Sequence, residues 1–333
     1  MLPVAIDVNG GDRAPGEIIA GAIQAAELGI PIVLVGVPDT LAGIELGGLS
    51  LVPCTEIIGM HDDPAQGVRR KKDATLVRAA ELVRDGRASA FLSAGNTGAT
   101  MASALLRMGR IKGVLRPAIA TPIPVPGSTP TVLLDAGANA ECTPQLLVQF
   151  AQMGAVMSRQ RYGIERPRVG LLSIGEEESK GTPLVKDTHA LLRSGAAGPD
   201  VLFIGNVEGR DVMTNDVDVV VTDGFTGNVV LKTLEGGMKF LIGKVFEAFM
   251  ANEEARAAAK VVLPLLGPTA EALDPDTYGG AMLLGVDGVC IISHGSSSSR
   301  AVVNAAKVAR DMVESDLVGA LRAAVASGPI NGG

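Results

Sequence analysis

Short, unbroken apolar runs alternate along the chain with longer segments of helical periodicity. The runs are Val4–Ile6, Ile32–Gly36, Ala90–Ser93, Thr131–Leu134, Val169–Ile174, Val201–Ile204, Val219–Thr222 and Gly288–Ser293. They are mostly continuous, the pattern of strands covered on both faces. Between them, Pro15–Leu28 carries Ile18, Ile19, Ala22, Ile23 and Ala26 on one face of a 3.6-residue period. Thr143-Pro144 and Thr182-Pro183 each read as an N-cap followed by proline at the first helical position. The alternation predicts an α/β fold: a Rossmann-like, mostly parallel sheet with helices on both faces. A helical pattern over Asn228–Met250, an Ala-rich stretch and the run Val261–Leu266 predict a helical excursion over residues 228–277. It lies within one large domain spanning residues 1–333. An apolar tip there is expected to pack on a dimer partner, cover the active site or touch a membrane surface.

Seven of the apolar segments end in short loops of Gly, Asn, Asp or Ser. These are Asn9–Asp12, Ser93–Gly98, Asp135–Asn139, Gly175–Gly181, Gly205–Asp211, Asp223–Asn228 and His294–Ser297. In an open α/β sheet, ligands bind in such loops at the carboxyl ends of strands. Backbone N–H groups, amides and hydroxyls suit an anionic, oxygen-rich ligand such as phosphate. One such loop is as well explained by a capped turn, whereas seven together point to a shared pocket. Ser93–Gly98 is the strongest single candidate, with Asn96 or Thr97 as the cap of the helix that follows.

Composition narrows the classes. There is no Trp, aromatics make up 3% of the chain and the formal net charge is −7. Stacking platforms and a general nucleic-acid-binding surface are therefore disfavoured. Arg69-Arg-Lys-Lys72 and the series Arg107, Arg110, Lys112, Arg116 stand out as basic clusters, either solvated faces or anion sites. The three cysteines, Cys54, Cys142 and Cys290, form no CxxC pair, which fits a reducing cytoplasm. No signal peptide and no stretch of ~20 apolar residues is present.

The common nucleotide signatures fail: no two glycines lie two positions apart, and Gly243-Lys244 is followed by Val. No G-x-S-x-G nucleophile elbow occurs. The acidic residues lack metal-ligand spacing, so neither a metal nor another cofactor is expected. Lys180 and Lys232 sit in or near glycine loops, where an ammonium can neutralise phosphate or an oxyanion. His294, at a strand end, is a candidate acid or base. His189, mid-helix, reads as structural. Cys142 precedes a helix start, a position that lowers a thiol pKa, but with no base beside it also reads as structural.

The ordered loops resemble the phosphate acyltransferase family, PlsX. The likeness rests on Ala5–Asp12, Arg69–Asp73, Ser93–Ala99, Leu134–Asn139, Gly170–Gly181, Gly205–Asp211, Asp223–Lys232, Tyr278–Gly280 and His294–Ser297, and covers roughly residues 4–310. One departure is Asn9, where the family usually has Met before the paired glycines. The resemblance implies a fold similar to phosphotransacetylases and isocitrate-dehydrogenase-like enzymes. It implies a cytoplasmic homodimer, peripherally attached to the membrane through an apolar helical projection, which maps here onto the stretch ending in Val261–Leu266. A membrane-bound downstream acyltransferase is a further expected partner.

The implied reaction moves a fatty acyl group from acyl carrier protein to inorganic phosphate, giving acyl-phosphate for phospholipid synthesis. Phosphate is itself the nucleophile, so the protein supplies positioning and charge compensation. Ser93, Asn96, Thr97 and Gly98 are the expected phosphate ligands. Lys180, Asn228, Lys232 and Asn139 are expected to contact phosphate or the oxyanion, and His294 to protonate the leaving sulfur. Asp7, Gly10, Gly11, Asp135, Asp223 and Thr226 are expected to shape the substrate loops. Arg69, Lys71, Lys72, Arg107, Arg110 and Lys112 are expected to dock the acidic carrier protein. Two other readings remain: a short-chain phosphotransacetylase using acyl-CoA, and a non-catalytic scaffold for acyl carrier protein.

Overall fold

The computed structural model describes residues 1–327. The N-terminal part runs β1 (Val4–Asp7), α1 (Gly16–Glu27), β2 (Ile32–Gly36), β3 (Ser50–Pro53), α2 (Pro64–Arg70), α3 (Thr75–Arg84), β4 (Ala90–Ser93) and α4 (Thr97–Ser103). A π-helical turn, Ala104–Met108, prolongs α4. The middle part runs β5 (Ala118–Ile123), β6 (Thr131–Leu134), α5 (Pro144–Tyr162), β7 (Arg168–Leu172), α6 (Pro183–Arg193), β8 (Leu202–Val207) and β9 (Val219–Val221). Then come α7 (Gly224–Met250), α8 (Glu253–Leu273), β10 (Ala281–Leu284), β11 (Val289–Ile292), α9 (Ser299–Glu314) and α10 (Leu317–Ser327).

All eight apolar runs become strands, and three further strands appear: β3, β5 and β10. The strands form one sheet in the order β3-β2-β1-β4-β11-β10-β5-β6-β9-β7-β8. Seven of its ten pairings are parallel; β11–β10, β10–β5 and β5–β6 are antiparallel. The consequence is directional. The group β3-β2-β1-β4-β11 points one way, and β6-β9-β7-β8 points the other. Carboxyl ends of the two groups therefore open on opposite rims of the sheet.

Both faces of the sheet are covered. On one face, Val4 and Ile6 belong to a continuous core that runs through Ile18 of α1, Val302 of α9, Leu321 of α10, Leu147 of α5 and Leu192 of α6. Ala5 and Phe91, one residue out of step, pack on the other face with Leu76 and Ala79 of α3 and Ala99 of α4. This is the period-2 alternation of a strand read twice, so both parities must be apolar. Burial of each large side chain is worth about 2 kcal/mol, which is why the strands carry almost no charge inside their spans.

The excursion from the sheet is a pair of long helices. α7 begins at Gly224, four residues before the apolar periodicity suggests, because Asp223 caps it by accepting from Thr226 N at 2.8 Å. The Ala-rich stretch and Val261–Leu266 are both inside α8, which Asn252 caps. The turn between the helices is therefore at 251–252, and Val261–Leu266 lies midway along α8 instead of at a tip. The pair is thinly packed: only Gly224 and Gly227 of α7 and Ala259 of α8 are buried. Phe240, Leu241, Ile242 and Phe246 on α7, and Val261, Leu265 and Leu266 on α8, are exposed. Among the described residues, no helix is long and apolar enough to cross a membrane.

Candidate active site

The seven polar loops do not converge on one rim. Those after β1, β4 and β11 form one group; those after β6, β7, β8 and β9 form another.

In the first group, Asp7 at the end of β1 is the buried centre. Ser93 donates its hydroxyl to Asp7 Oδ2 at 2.8 Å and accepts Gly95 N–H at 2.9 Å, while Asn9 N–H donates to Asp7 Oδ1. Burial pushes the Asp7 carboxyl above its ordinary value, against these hydrogen bonds, which favour the charged form. Gly10 is required by proximity: a Cβ there would lie 2.4 Å from Asp7 Oδ2 and 2.7 Å from Gly95 N. Gly11 has φ +111°, and Asp12 N–H donates to Gly295 O at 2.7 Å, tying the β1 loop to the β11 loop.

Asn96, not Thr97, caps α4. Its Oδ1 accepts from Ala99 N–H, and its Nδ2 faces the carbonyls of Gly59, Met60 and Asp62. The side chain is spent on holding the loop, whereas Thr97 is exposed at the first turn and Gly98 half-buried beside it. Gly98 packs against Pro64, where a Cβ would come within 2.7 Å. His294 is exposed. Its Nδ1 accepts Ser296 N–H at 3.3 Å and stands 2.9 Å from Ser296 Oγ. A backbone N–H can only donate, so the neutral ring carries its proton on the outward Nε2. Among the described residues, Ser293 Oγ is buried without a partner beside this loop, a hydroxyl that no sequence pattern singled out.

In the second group, Asp135 is fully buried and fully satisfied. Oδ1 accepts N–H from Ile119, Gly137 and Ala138, and Oδ2 accepts from Asn139 N and Nδ2, all between 2.7 and 3.1 Å. Asn139 also donates to Pro117 O, and its own carbonyl accepts Gly224 N–H. Gly227 permits the approach of α7: a Cβ would sit 1.9 Å from Asp135 O. Asp223 binds both the N–H and the hydroxyl of Thr226. Asn228 is exposed, its side chain next to Gly137. Lys232, a turn along α7, is exposed and paired with Glu235 at 2.7 Å. Lys180 lies in the Gly175–Gly181 loop, its aliphatic stem against Gly175, where a Cβ would meet Cγ at 2.9 Å. It has no ion pair among the described residues.

The basic residues are unequal. Lys71 is turned inward onto Ile57 O and Asp62, at 2.7 and 2.6 Å. Arg107 reaches Val68 O and lies 3.9 Å from Glu81; Arg110 bonds Leu115 O. Arg69, Lys72 and Lys112 are exposed. Cys142 does not gain from its place before a helix start: burial and the neighbouring Asp135 raise its thiol to about 11, in keeping with a structural cysteine. Cys54 is pushed up to about 12 by burial, and Cys290 is raised further.

The chain has a mostly parallel α/β sheet whose strand-end loops offer amides, hydroxyls and isolated cations, a fold that solved phosphotransacetylases share. Solved structures agree on the fold. A EutD phosphotransacetylase from Staphylococcus aureus superposes with TM-score 0.61 at 15% identity, covering 94% of each chain. A branched-chain phosphotransacylase from Enterococcus faecalis gives TM-score 0.60 at 17% identity, covering 94% of this chain and 99% of the other. The family model described as fatty acid synthesis protein matches residues 2–319, and the chain belongs to that family, PlsX. A phosphate acyltransferase of Elusimicrobium minutum is 48% identical over 333 residues, 98% of this chain and 96% of the relative. One from Heliobacterium modesticaldum is 46% identical, covering 96% and 97%. The chain is accordingly an acyltransferase.

Proposed function

We propose that the chain moves a fatty acyl group from acyl carrier protein to inorganic phosphate, producing acyl-phosphate for phospholipid synthesis. The observation that carries this reading is the first loop group. There, exposed Thr97 and the first turn of α4 lie on the same rim as a histidine whose Nε2–H faces outward. Such a site receives a phosphate nucleophile and returns a proton to a departing thiolate, with no protein nucleophile needed. Asn96 supports the loop from behind. The second group, with Asn139, Asn228, Lys180 and Lys232, supplies donors for phosphate or for the developing oxyanion. The two groups open on opposite rims of the sheet, so substitutions in each group test their parts in the reaction separately.

The decisive assay mixes enzyme, acyl-acyl carrier protein and phosphate, and follows free thiol together with acyl-phosphate. Phosphate-dependent release of both is expected; thiol release independent of phosphate would mean hydrolysis and end the proposal. Comparing acyl carrier protein with acyl-CoA of different chain lengths separates this reading from a short-chain phosphotransacetylase. Carrier binding without turnover would favour the scaffold. Lys180→Ala with full turnover at saturating phosphate would remove Lys180 from the chemistry.

Arg69, Lys72, Arg107, Arg110 and Lys112 form the proposed docking face for the acidic carrier, with Lys71 bracing it. Charge reversal at Arg107 and Arg110 should raise the KM for the carrier substrate and flatten the salt dependence of association. The exposed apolar residues of α7 and α8 are proposed to pair two copies of the chain as a homodimer and to touch the membrane surface. In this reading the enzyme works in the cytoplasm, peripherally attached to the membrane, and passes its product to a membrane-bound acyltransferase. Residues 1–333 act in this reading as one domain, with 228–277 as its projection.

A further inference from the structure

His189 lies in the middle of α6, and Asn206 near the end of the edge strand β8. Both are polar, and both are at least nine-tenths buried. His189 Nδ1 stands 3.0 Å from Asn206 Oδ1, and Asn206 Nδ2 donates to Glu177 O at 2.9 Å. That second bond fixes the amide orientation, so Oδ1 must accept and His189 must donate from Nδ1. The ring is packed edge-on against Phe203, with centroids 5.1 Å apart. The histidine that sequence position marks as structural is thus one end of a two-residue relay, and the other end is the backbone of the Gly175–Gly181 loop.

The same loop is anchored on its flanks. Arg210 pairs with Glu176 at 2.9 Å, Arg193 pairs with Glu178, and His189 Nε2 lies 4.0 Å from that carboxylate. Lys180 N–H donates to Glu177 O, the atom that Asn206 also binds. Two of the three loop carboxylates are therefore neutralised by arginines outside the loop. One carbonyl, Glu177 O, is the point where the buried relay meets the backbone of Lys180. The surface pairs on the flanks are each worth little in solvent; the buried relay is the part that fixes position.

We infer that His189 and Asn206 are positioning residues for acyl transfer: through Glu177 O they set where the Lys180 ammonium stands. The inference rests on the proposed role of Lys180 in the reaction. A side chain held through a loop loses its placement when the loop is freed, and a displacement of about 1 Å can cost up to ~100-fold in rate.

The test is a mutant cycle on the full-length enzyme with acyl-acyl carrier protein and phosphate. His189→Leu removes the donor and should lower kcat/KM by roughly 10-fold. His189→Asn puts an N–H donor near the Nδ1 position and should restore most of it. Asn206→Ala, which cuts the relay at its other residue, should match His189→Leu. In a Lys180→Ala background, neither substitution should lower kcat/KM further, because residues acting through one group are non-additive. Limited proteolysis should cut His189→Leu faster within residues 175–181. Full additivity with Lys180→Ala, or no rescue by His189→Asn in a protein of unchanged Tm, would overturn the inference. If His189→Leu does not fold, the Asn206→Ala and His189→Asn arms decide alone. A Lys180→Ala enzyme with wild-type turnover would instead overturn the reading on which the inference rests.

Discussion

Asp7 and Asp135 occupy matching places, each the first residue beyond the apolar part of a central strand and each buried, yet they are served very differently. Asp135 receives five N–H donors on two oxygens. Asp7 meets the hydroxyls of Thr75 and Ser93 and the N–H groups of Asn9 and Gly10, yet burial wins and raises its pKa. The first arrangement is a structural knot that joins β5, the 135–139 loop and, through Asn139, the start of α7. The second holds a carboxyl whose burial outweighs the hydrogen bonds it receives, directly beneath the Ser93–Gly98 loop. A buried carboxylate is held by the donors it meets, here five N–H groups on one strand end and a mixture of hydroxyls and N–H groups on the other.

The sharpest way to break the comparison is Gly227→Ala. Its Cβ would fall 1.9 Å from a backbone oxygen that cannot yield, so the start of α7 must lift off Asp135; we expect a loss of about 4 kcal/mol or failure to fold, read by urea unfolding. Asp135→Ala strands five N–H groups and should cost about 3 kcal/mol or more in the same measurement. Gly10→Ala forces the β1 and β4 loops apart; we expect roughly 2 kcal/mol and a larger proportional loss of phosphate-dependent turnover.

Asp7→Asn carries the opposite sign. An acid whose folded pKa is raised binds its proton more tightly when folded. Its contribution is therefore complete below the unfolded value near 3.8 and is lost as pH rises through the folded value. The amide removes that loss, so Asp7→Asn should equal or exceed the wild type in stability at pH 7 and show a flatter profile above pH 4. A variant clearly less stable at pH 7 would mean that the carboxylate is well compensated, like Asp135. The smallest effect is expected at Cys142. With its thiol raised to about 11, alkylation at pH 8 should be slow, and Cys142→Ala should leave turnover within about twofold.

Much of the architecture was legible because strands buried on both faces have to be apolar at every position, and such runs are hard to mistake. The three strands that escaped are the exceptions to that rule. β5 contains Pro122 and is bracketed by Pro117 and Pro124, residues that normally argue against a central strand. β10 is four residues enclosed by Gly280 and Gly285, and β3 is only partly buried and ends in Pro53. The same two strands, β10 and β5, reverse the sheet. Missing them hid the division of the polar loops into two groups. The site residues were legible as types and not as roles: Asn96 turned out to brace a loop, Lys71 to pair inward, and Asn206 to be buried at the end of a strand.

The sequence by itself determined the family, the α/β class and the loops from which the donors come, because those follow from local periodicity, turn chemistry and the order of motifs. Tertiary structure alone decided which loops share a rim, which carboxylate is satisfied and that Lys232 is ion-paired where Lys180, among the described residues, is not. Those depend on strand direction and on partners 16 to 86 residues away, such as Ile119 for Asp135 and Ser93 for Asp7. Pairings across such distances leave no periodic trace in a single chain.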